Sequence, residues 1–208
     1  VSPVLHAGAF LGGSAAFGDP QPRFGLPHML QAMLELRYPG TRFEIVNASM
    51  TASNSNVVLP IARDWAGAGG NIWVIYLGNN EVVGPFGAGT VFGQQTPPLP
   101  LIRANLALKT TRTGQFIDFL RQKIRKPPSD KSEWGGMEMF LQQQVRAMDK
   151  RKEITYANFR KNLDDILAAG RSARVPILLS TVAVNLKDCA PFASKLEREL
   201  PARRPDLG

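Results

Sequence analysis

Histidine and cysteine are nearly missing from these 208 residues: His6, His28 and Cys189 are all there is. One cysteine excludes an internal disulfide and a cysteine-rich metal site, though it leaves the compartment open. No run is long and apolar enough to span a bilayer. The first residues lack the basic region of a signal peptide and an initiator Met, so the expectation is a chain cut from something larger. Neither a P-loop nor a cluster of metal ligands is present. Gly87-Ala-Gly-Thr-Val-Phe-Gly93 has the wrong spacing for a dinucleotide loop and follows no strand that opens a helix. No cofactor is expected. No recognised nucleic-acid motif occurs either.

What is present is ordinary for a globular protein: 44% hydrophobic and 20% charged residues, in a length suited to one domain over 1–208. The net charge of +8 and pI near 10.0 raise nucleic acid and anionic surfaces as partners. The excess lies mostly between Arg103 and Arg160, interleaved with acids on helical patterns. Dispersed charge of that kind reads as a solvated surface rather than a nucleic-acid site.

Val4 to Leu11 is a short apolar run ended by Gly12-Gly13, which predicts a buried parallel strand. Apolar residues from Phe24 to Leu36 recur at helical spacing, with Pro27 in the first turn and Pro39-Gly40 as the stop. Phe43 to Val46 predicts a second strand, running into the polar loop Asn47 to Ser55. A helix over Val57 to Trp65 follows. Ile72 to Leu77 is the clearest central strand, followed by a Gly/Pro-rich stretch from Gly84 to Gly93. Three strand–loop–helix units in a row predict an α/β fold with a parallel sheet and right-handed crossovers.

The texture changes from Pro97 to Arg160. Gln115 to Ile124 and Phe140 to Met148 read as amphipathic helices around a mobile loop at Lys126 to Ser132. At this length, 97–160 is expected to be a helical insertion capping the site. Phe159 to Leu167 reads as a helix ended by Gly170, and Val175 to Ser180 as a fourth strand whose start tolerates Pro176. A long loop over Thr181 to Ala193 and a short helix over Lys195 to Leu200 complete the expectation.

Candidate chemistry sits where the strands end. Ser14 lies in a tight turn after the first strand, at the amino end of a helix-like pattern. Backbone N–H groups and a helix dipole there stabilise a developing anion, and open α/β sheets place ligand sites at that end. The loops holding Ser14, Asn47 to Ser55 and Asn79-Asn80 converge if their strands are adjacent. A hydroxyl, N–H donors and a side-chain amide are the parts of acyl-transfer catalysis. The alternative for Ser14 is a small residue filling a tight turn. It is not in a G-x-S-x-G elbow, because Ala16 stands at the second glycine. Asp188 and Cys189 read as a loop stabiliser or pocket wall rather than a catalytic pair.

On these residues the chain resembles the SGNH (GDSL-type) hydrolases, from about Phe10 to Phe192. It looks closest to a branch reading Gly-Glu-Ser-Ala-Ala-Phe-Gly-Asp-Pro at the first block. Gly12-Gly13-Ser14 matches block one, Asn47-Ala-Ser-Met-Thr-Ala52 block two, and Leu77-Gly-Asn-Asn-Glu81 block three. The resemblance implies a three-layer, flavodoxin-like fold acting on a small-molecule or carbohydrate ester. It implies Ser14 as nucleophile, with the N–H groups of Ser14 and Ala52 and the amide of Asn80 holding the oxyanion.

Four departures qualify it. Gly13 replaces an acidic residue, Ala52 a glycine and Glu81 an aspartate whose replacement leaves its role open. The family's closing Asp-x-x-His, which supplies base and orienting acid, has no counterpart after Val184. His28 on a helix flank and His6 at the far end of the first strand read as structural, since a base must come within about 3 Å of the hydroxyl. Losing a triad member typically costs about 10⁴- to 10⁶-fold in kcat. The expectation is therefore a chain that ends before its base, with its last strand and helix missing. It would hydrolyse esters weakly if at all and self-associate through an uncovered sheet edge. The alternative is a binding or scaffolding module whose basic insertion contacts an anionic partner such as a polysaccharide.

Overall fold

A computed structural model describes residues 5–124, 137–185, 187 and 194–195. In chain order the elements are β1 (Leu5–Gly12), α1 (Ser14–Phe17), α2 (Leu26–Arg37), β2 (Arg42–Asn47), α3 (Ser55–Trp65), β3 (Ile72–Tyr76), α4 (Leu99–Thr110), α5 (Arg112–Ile124), β4 (Val145–Arg146), α6 (Lys150–Ser172), β5 (Ile177–Ser180) and β6 (Ser194–Lys195). Short 3₁₀ turns cover Pro22–Phe24 and Met137–Gln143.

The main sheet is parallel throughout, in the order β2–β1–β3–β5. Counted along the chain that is 2-1-3-4, the beginning of the flavodoxin-like order. The chain moves one way from β1 to β2 and the other way from β2 to β3. Right-handed crossovers then put α2 on one face and α3 on the other, with α6 beside α3. The fold is α/β and flavodoxin-like, as expected.

Strand alternation sorts the core. Ala9, Leu11, Trp73 and Ile75 point to one face, where they pack with Val58, Leu59 and Ala62 of α3 and Ile166 of α6. Trp73 and Ile75 are wholly buried there. On the opposite face the Gln31 side chain accepts the Ile45 N–H at 3.1 Å and ties α2 to β2. β5 is the outer strand of the sheet, with Leu178 and Leu179 about half exposed.

Several expected elements are corrected. Phe140 to Met148 is not a helix. The 3₁₀ turn ends at Gln143, and Val145–Arg146 pairs with Ser194–Lys195. The following helix cannot start earlier because Asp149 caps it, its carboxylate accepting the Arg151 N–H at 2.9 Å. Gly170 does not end α6. The helix passes over the sheet there, and a Cβ would sit 3.0 Å from the Trp73 ring and 2.5 Å from Ile177 Cδ1. Glycine is present for close approach, and the helix runs on to Ser172. The helix α4 was not foreseen. Its prolines, Pro98 and Pro100, occupy the N-cap and first turn, where they are compatible with a helix. Ser14 opens a four-residue helix of its own, and the long helix begins only at Leu26. Lys195 lies in β6 rather than opening a helix. The expected loop at Lys126 to Ser132 and most of 186–200 fall outside the described residues.

Gly12 shows why the strand end carries no side chain. A Cβ there would lie 2.5 Å from the Tyr76 carbonyl and 2.6 Å from the Ala16 methyl. Gly67, by contrast, would meet only the Asp64 carbonyl at 3.7 Å. In urea unfolding Gly12→Ala should lose about 1–3 kcal/mol, the usual cost of overpacking. Gly67→Ala should stay within about 0.5 kcal/mol. Equal effects would mean that the approach of β1 to β3 tolerates a methyl group.

Candidate functional site

Three loops at the carboxyl ends of β1, β2 and β3 form the site. The first is the turn at Gly13. Its carbonyl accepts N–H groups from Ala16 and Phe17 at 3.1 and 2.9 Å, and Gly18, at φ +90°, returns its N–H to the Ser14 carbonyl at 2.9 Å. The Ser14 hydroxyl has no hydrogen-bond partner among the described residues, and its side chain is half-buried.

The second loop is stitched to the end of β1. Ala48 and Met50 donate N–H groups to the carbonyls of Phe10 and Gly12 at 3.0 and 3.2 Å, extending the sheet's hydrogen bonding beyond β2. The Ser49 hydroxyl adds a bond to the Phe10 carbonyl at 3.1 Å. The Ser53 hydroxyl lies 2.7 Å from the Met50 carbonyl and 3.2 Å from that of Gly12. This bracing holds Ala52 at φ +58°, the left-handed region. The cost to alanine there is about 1 kcal/mol.

The third loop brings Asn80. Its side-chain amide donates to the Ser53 carbonyl at 3.0 Å, which spends one of its two N–H bonds and orients the other. A Cβ on Gly13 would lie 2.9 Å from that amide nitrogen and 3.2 Å from the Ser53 carbonyl. Residue 13 is therefore bare where the second and third loops close on the first. Ser14, Ala52 and Asn80 line one cavity of about 230 Å³.

Glu81 has a defined place. It is only 4% exposed, and its two carboxylate oxygens accept the N–H and hydroxyl of Ser55, each at 2.8 Å. Burial pushes its pKa up from the ordinary carboxylate value, against the lowering effect of the two Ser55 bonds. Asn162 of α6 donates to the same Ser55 oxygen at 3.1 Å and to the Asn56 side chain at 2.8 Å. The loop bearing Asn80 is thus fastened to the start of α3 and to the middle of α6.

Sequence reasoning missed the remaining cavity wall. Asp19 and Thr51 lie close in sequence to residues already singled out, but Val83 and Phe92 come from loops with no periodic signal, and Phe140 sits in a 3₁₀ turn where the sequence pattern predicts an amphipathic helix. His28 is exposed on α2 and does not line the cavity. His6 lies near the start of β1, at the opposite end of that strand from Ser14. Asp188 and Cys189 fall outside the described residues. Among the described residues no group of three His, Cys, Asp or Glu is placed to hold a metal, and no helix is long and apolar enough to cross a membrane.

Two outcomes follow from this geometry. Ala52→Gly should leave stability unchanged or raise it by up to about 1 kcal/mol, because relief of the left-handed strain offsets the usual cost of glycine. A clear loss on urea unfolding would show that the Ala52 methyl matters more than its backbone. Glu81 adds a pH dependence. Its folded pKa is raised, so its contribution is full below the ordinary value and is lost as pH rises through the folded one. Wild type should therefore lose ground to Glu81→Gln as pH rises from the ordinary carboxylate range through the raised folded value. A constant gap between the two urea midpoints would contradict burial of the carboxylate.

No family model matches the chain, and no curated protein matches it. Solved structures with partial likeness include AlinE4, described as an SGNH-hydrolase family esterase. The likeness has 15% identity and a TM-score of 0.36, covering 85% of this chain and 77% of that one. The esterase EstA from Pseudoalteromonas sp. has 12% identity and a TM-score of 0.37, over 84% and 77% of the two chains. A lipase/acylhydrolase from Enterococcus faecalis has 11% identity and a TM-score of 0.35, over 83% and 74%. The neighbours are esterases and acylhydrolases at low identity, and scores of this size leave the function of this chain to be argued from its own residues.

Proposed function

We propose that the chain is the core of an SGNH-type serine ester hydrolase. Ser14 is the nucleophile toward the carbonyl of a small-molecule or carbohydrate ester. The N–H groups of Ser14 and Ala52 and the free amide hydrogen of Asn80 receive the oxygen as it gains negative charge. One observation carries this reading: Ser14, Ala52 and Asn80, from three separate loops, line a single cavity. In this reading residues 1–208 are one domain, and the insertion over 97–160 supplies Phe140 to the cavity wall.

A hydroxyl alone is a poor nucleophile and needs a base to take its proton. Neither His28 nor the backbone position of His6 is at the cavity. On this reading the chain by itself is a weak hydrolase, because no histidine among the described residues stands at the cavity to take the proton. The same observation favours a second reading, a module that binds an ester or carbohydrate without chemistry.

Free imidazole, added as an external base, separates the two. With p-nitrophenyl acetate, imidazole should stimulate turnover above that of a Ser14→Ala control. Asn80→Ala should reduce the stimulated rate by about 10²- to 10³-fold, as loss of one oxyanion donor does elsewhere. Rates identical in wild type and Ser14→Ala would leave only the binding reading. Strong turnover without imidazole that vanishes in Ser14→Ala would place the base within the chain.

A further inference from the structure

A second cavity is larger than the one at Ser14. It lies between α3, α4 and α6 and measures about 420 Å³, within the usual range for small-molecule sites. Four apolar side chains, Leu59 and Pro60 of α3 and Leu106 and Ala107 of α4, form its walls. The charged residues that line it are Arg63, Arg103 and Lys109, with no acid among them.

The two ends of this cavity differ. At one end the polar groups are occupied by each other. Asn162 donates to Asn56 at 2.8 Å and accepts from the Arg103 guanidinium at 2.9 Å. Arg103 also pairs with Asp165 at 2.7 Å. Its Nε is buried and has no partner among the described residues. Arg63 lies seven residues beyond Asn56, about 10 Å along α3, and Lys109 six beyond Arg103, about 9 Å along α4, and both line the cavity. Both are exposed, and neither makes an ion pair among the described residues.

We propose that this cavity binds a medium-chain carboxylate, an amphiphile with one anionic head and an unbranched alkyl tail. The tail lies between Leu59, Pro60, Leu106 and Ala107, where it leaves water for an apolar wall. The head is met by Arg63 and Lys109, which have no ion-pair partner among the described residues. An acidic or cationic ligand can be told apart by charge alone. A cationic amphiphile would bring a third like charge beside those two and beside Arg103, whereas a neutral one would gain the walls without the rim. This proposal is independent of the chemistry at Ser14, since the two cavities share no lining residue.

Calorimetric titration of the whole chain with decanoate, below its micelle concentration, tests it. Saturable binding of one decanoate per chain is expected, weakening as salt screens the exposed rim. Arg63→Gln with Lys109→Gln should weaken decanoate about tenfold and leave decanol within about twofold, in keeping with two partly screened charges. Ala107→Trp fills the cavity from an exposed helix position and should abolish both, with its folding checked by circular dichroism. Ser14→Ala should bind decanoate like wild type. Decyltrimethylammonium binding as tightly as decanoate would overturn the proposal. So would decanoate binding that survives Ala107→Trp, is lost in Ser14→Ala, or never saturates.

Discussion

A buried carboxylate with no cation paired to it among the described residues is the constraint on which this site depends. Isolating a charged carboxylate from water costs several kcal/mol unless hydrogen bonds replace the lost hydration. Glu81 finds its replacement in one residue, Ser55, which donates through both backbone and side chain. Those bonds form only if the loop after β3 is pressed against the first turn of α3. The same contact brings Asn80, one residue earlier, within 3.0 Å of the Ser53 carbonyl. A polar interaction that is costly to break therefore fixes the direction of an amide that has a hydrogen to spare.

The glycines at 12 and 13 complete the arrangement from the other side. Side chains at those positions would occupy the space now held by the Tyr76 carbonyl and the Asn80 amide. Loop three approaches because residue 13 is bare, and loop two approaches because Ser49 and Ser53 satisfy carbonyls at the end of β1. Positive φ at Ala52 is the local cost of that route, and the bracing around it keeps the residue there.

The sheet was legible because its signal is local. Short apolar runs ended by glycine or polar loops marked β1, β2, β3 and β5, while their order came from the structure. The meeting of the loops at Ser14, Asn47 to Ser55 and Asn79-Asn80 was legible because strand ends converge in such a sheet, whereas Ala52 and Asn80 were singled out within them only by the resemblance. The helices of 97–172 were harder to read. α6 begins in a charged segment, Lys150 to Glu153, whose only sign of order is the Asp149 cap. Gly170 was misread because its reason, the Trp73 ring beneath the helix, lies nearly a hundred residues away. The role of Glu81 was hidden for the same reason: Ser55 is 26 residues distant, and nothing in a Glu-for-Asp replacement points to it.

The polar chain from Glu81 through Ser55 and Asn162 to Arg103 also explains how a segment with little apolar contact to the sheet is held. α4 contributes one fully buried aliphatic side chain, Ile102. Arg103, next to it, reaches Asn162 and Asp165 on α6. Asn162 is 1% exposed and uses both ends of its amide, so removing either partner would leave a buried polar atom unsatisfied. Such a network specifies one register between α4, α6 and α3 more sharply than apolar packing alone, because a helix that slides by one residue loses every bond in it. α4 is thereby held at the distance from α3 that leaves an apolar space between them, and the loop carrying Asn80 joins the same series through Glu81 and Ser55. The position of the Asn80 amide and the width of the second cavity are two consequences of one hydrogen-bonded series.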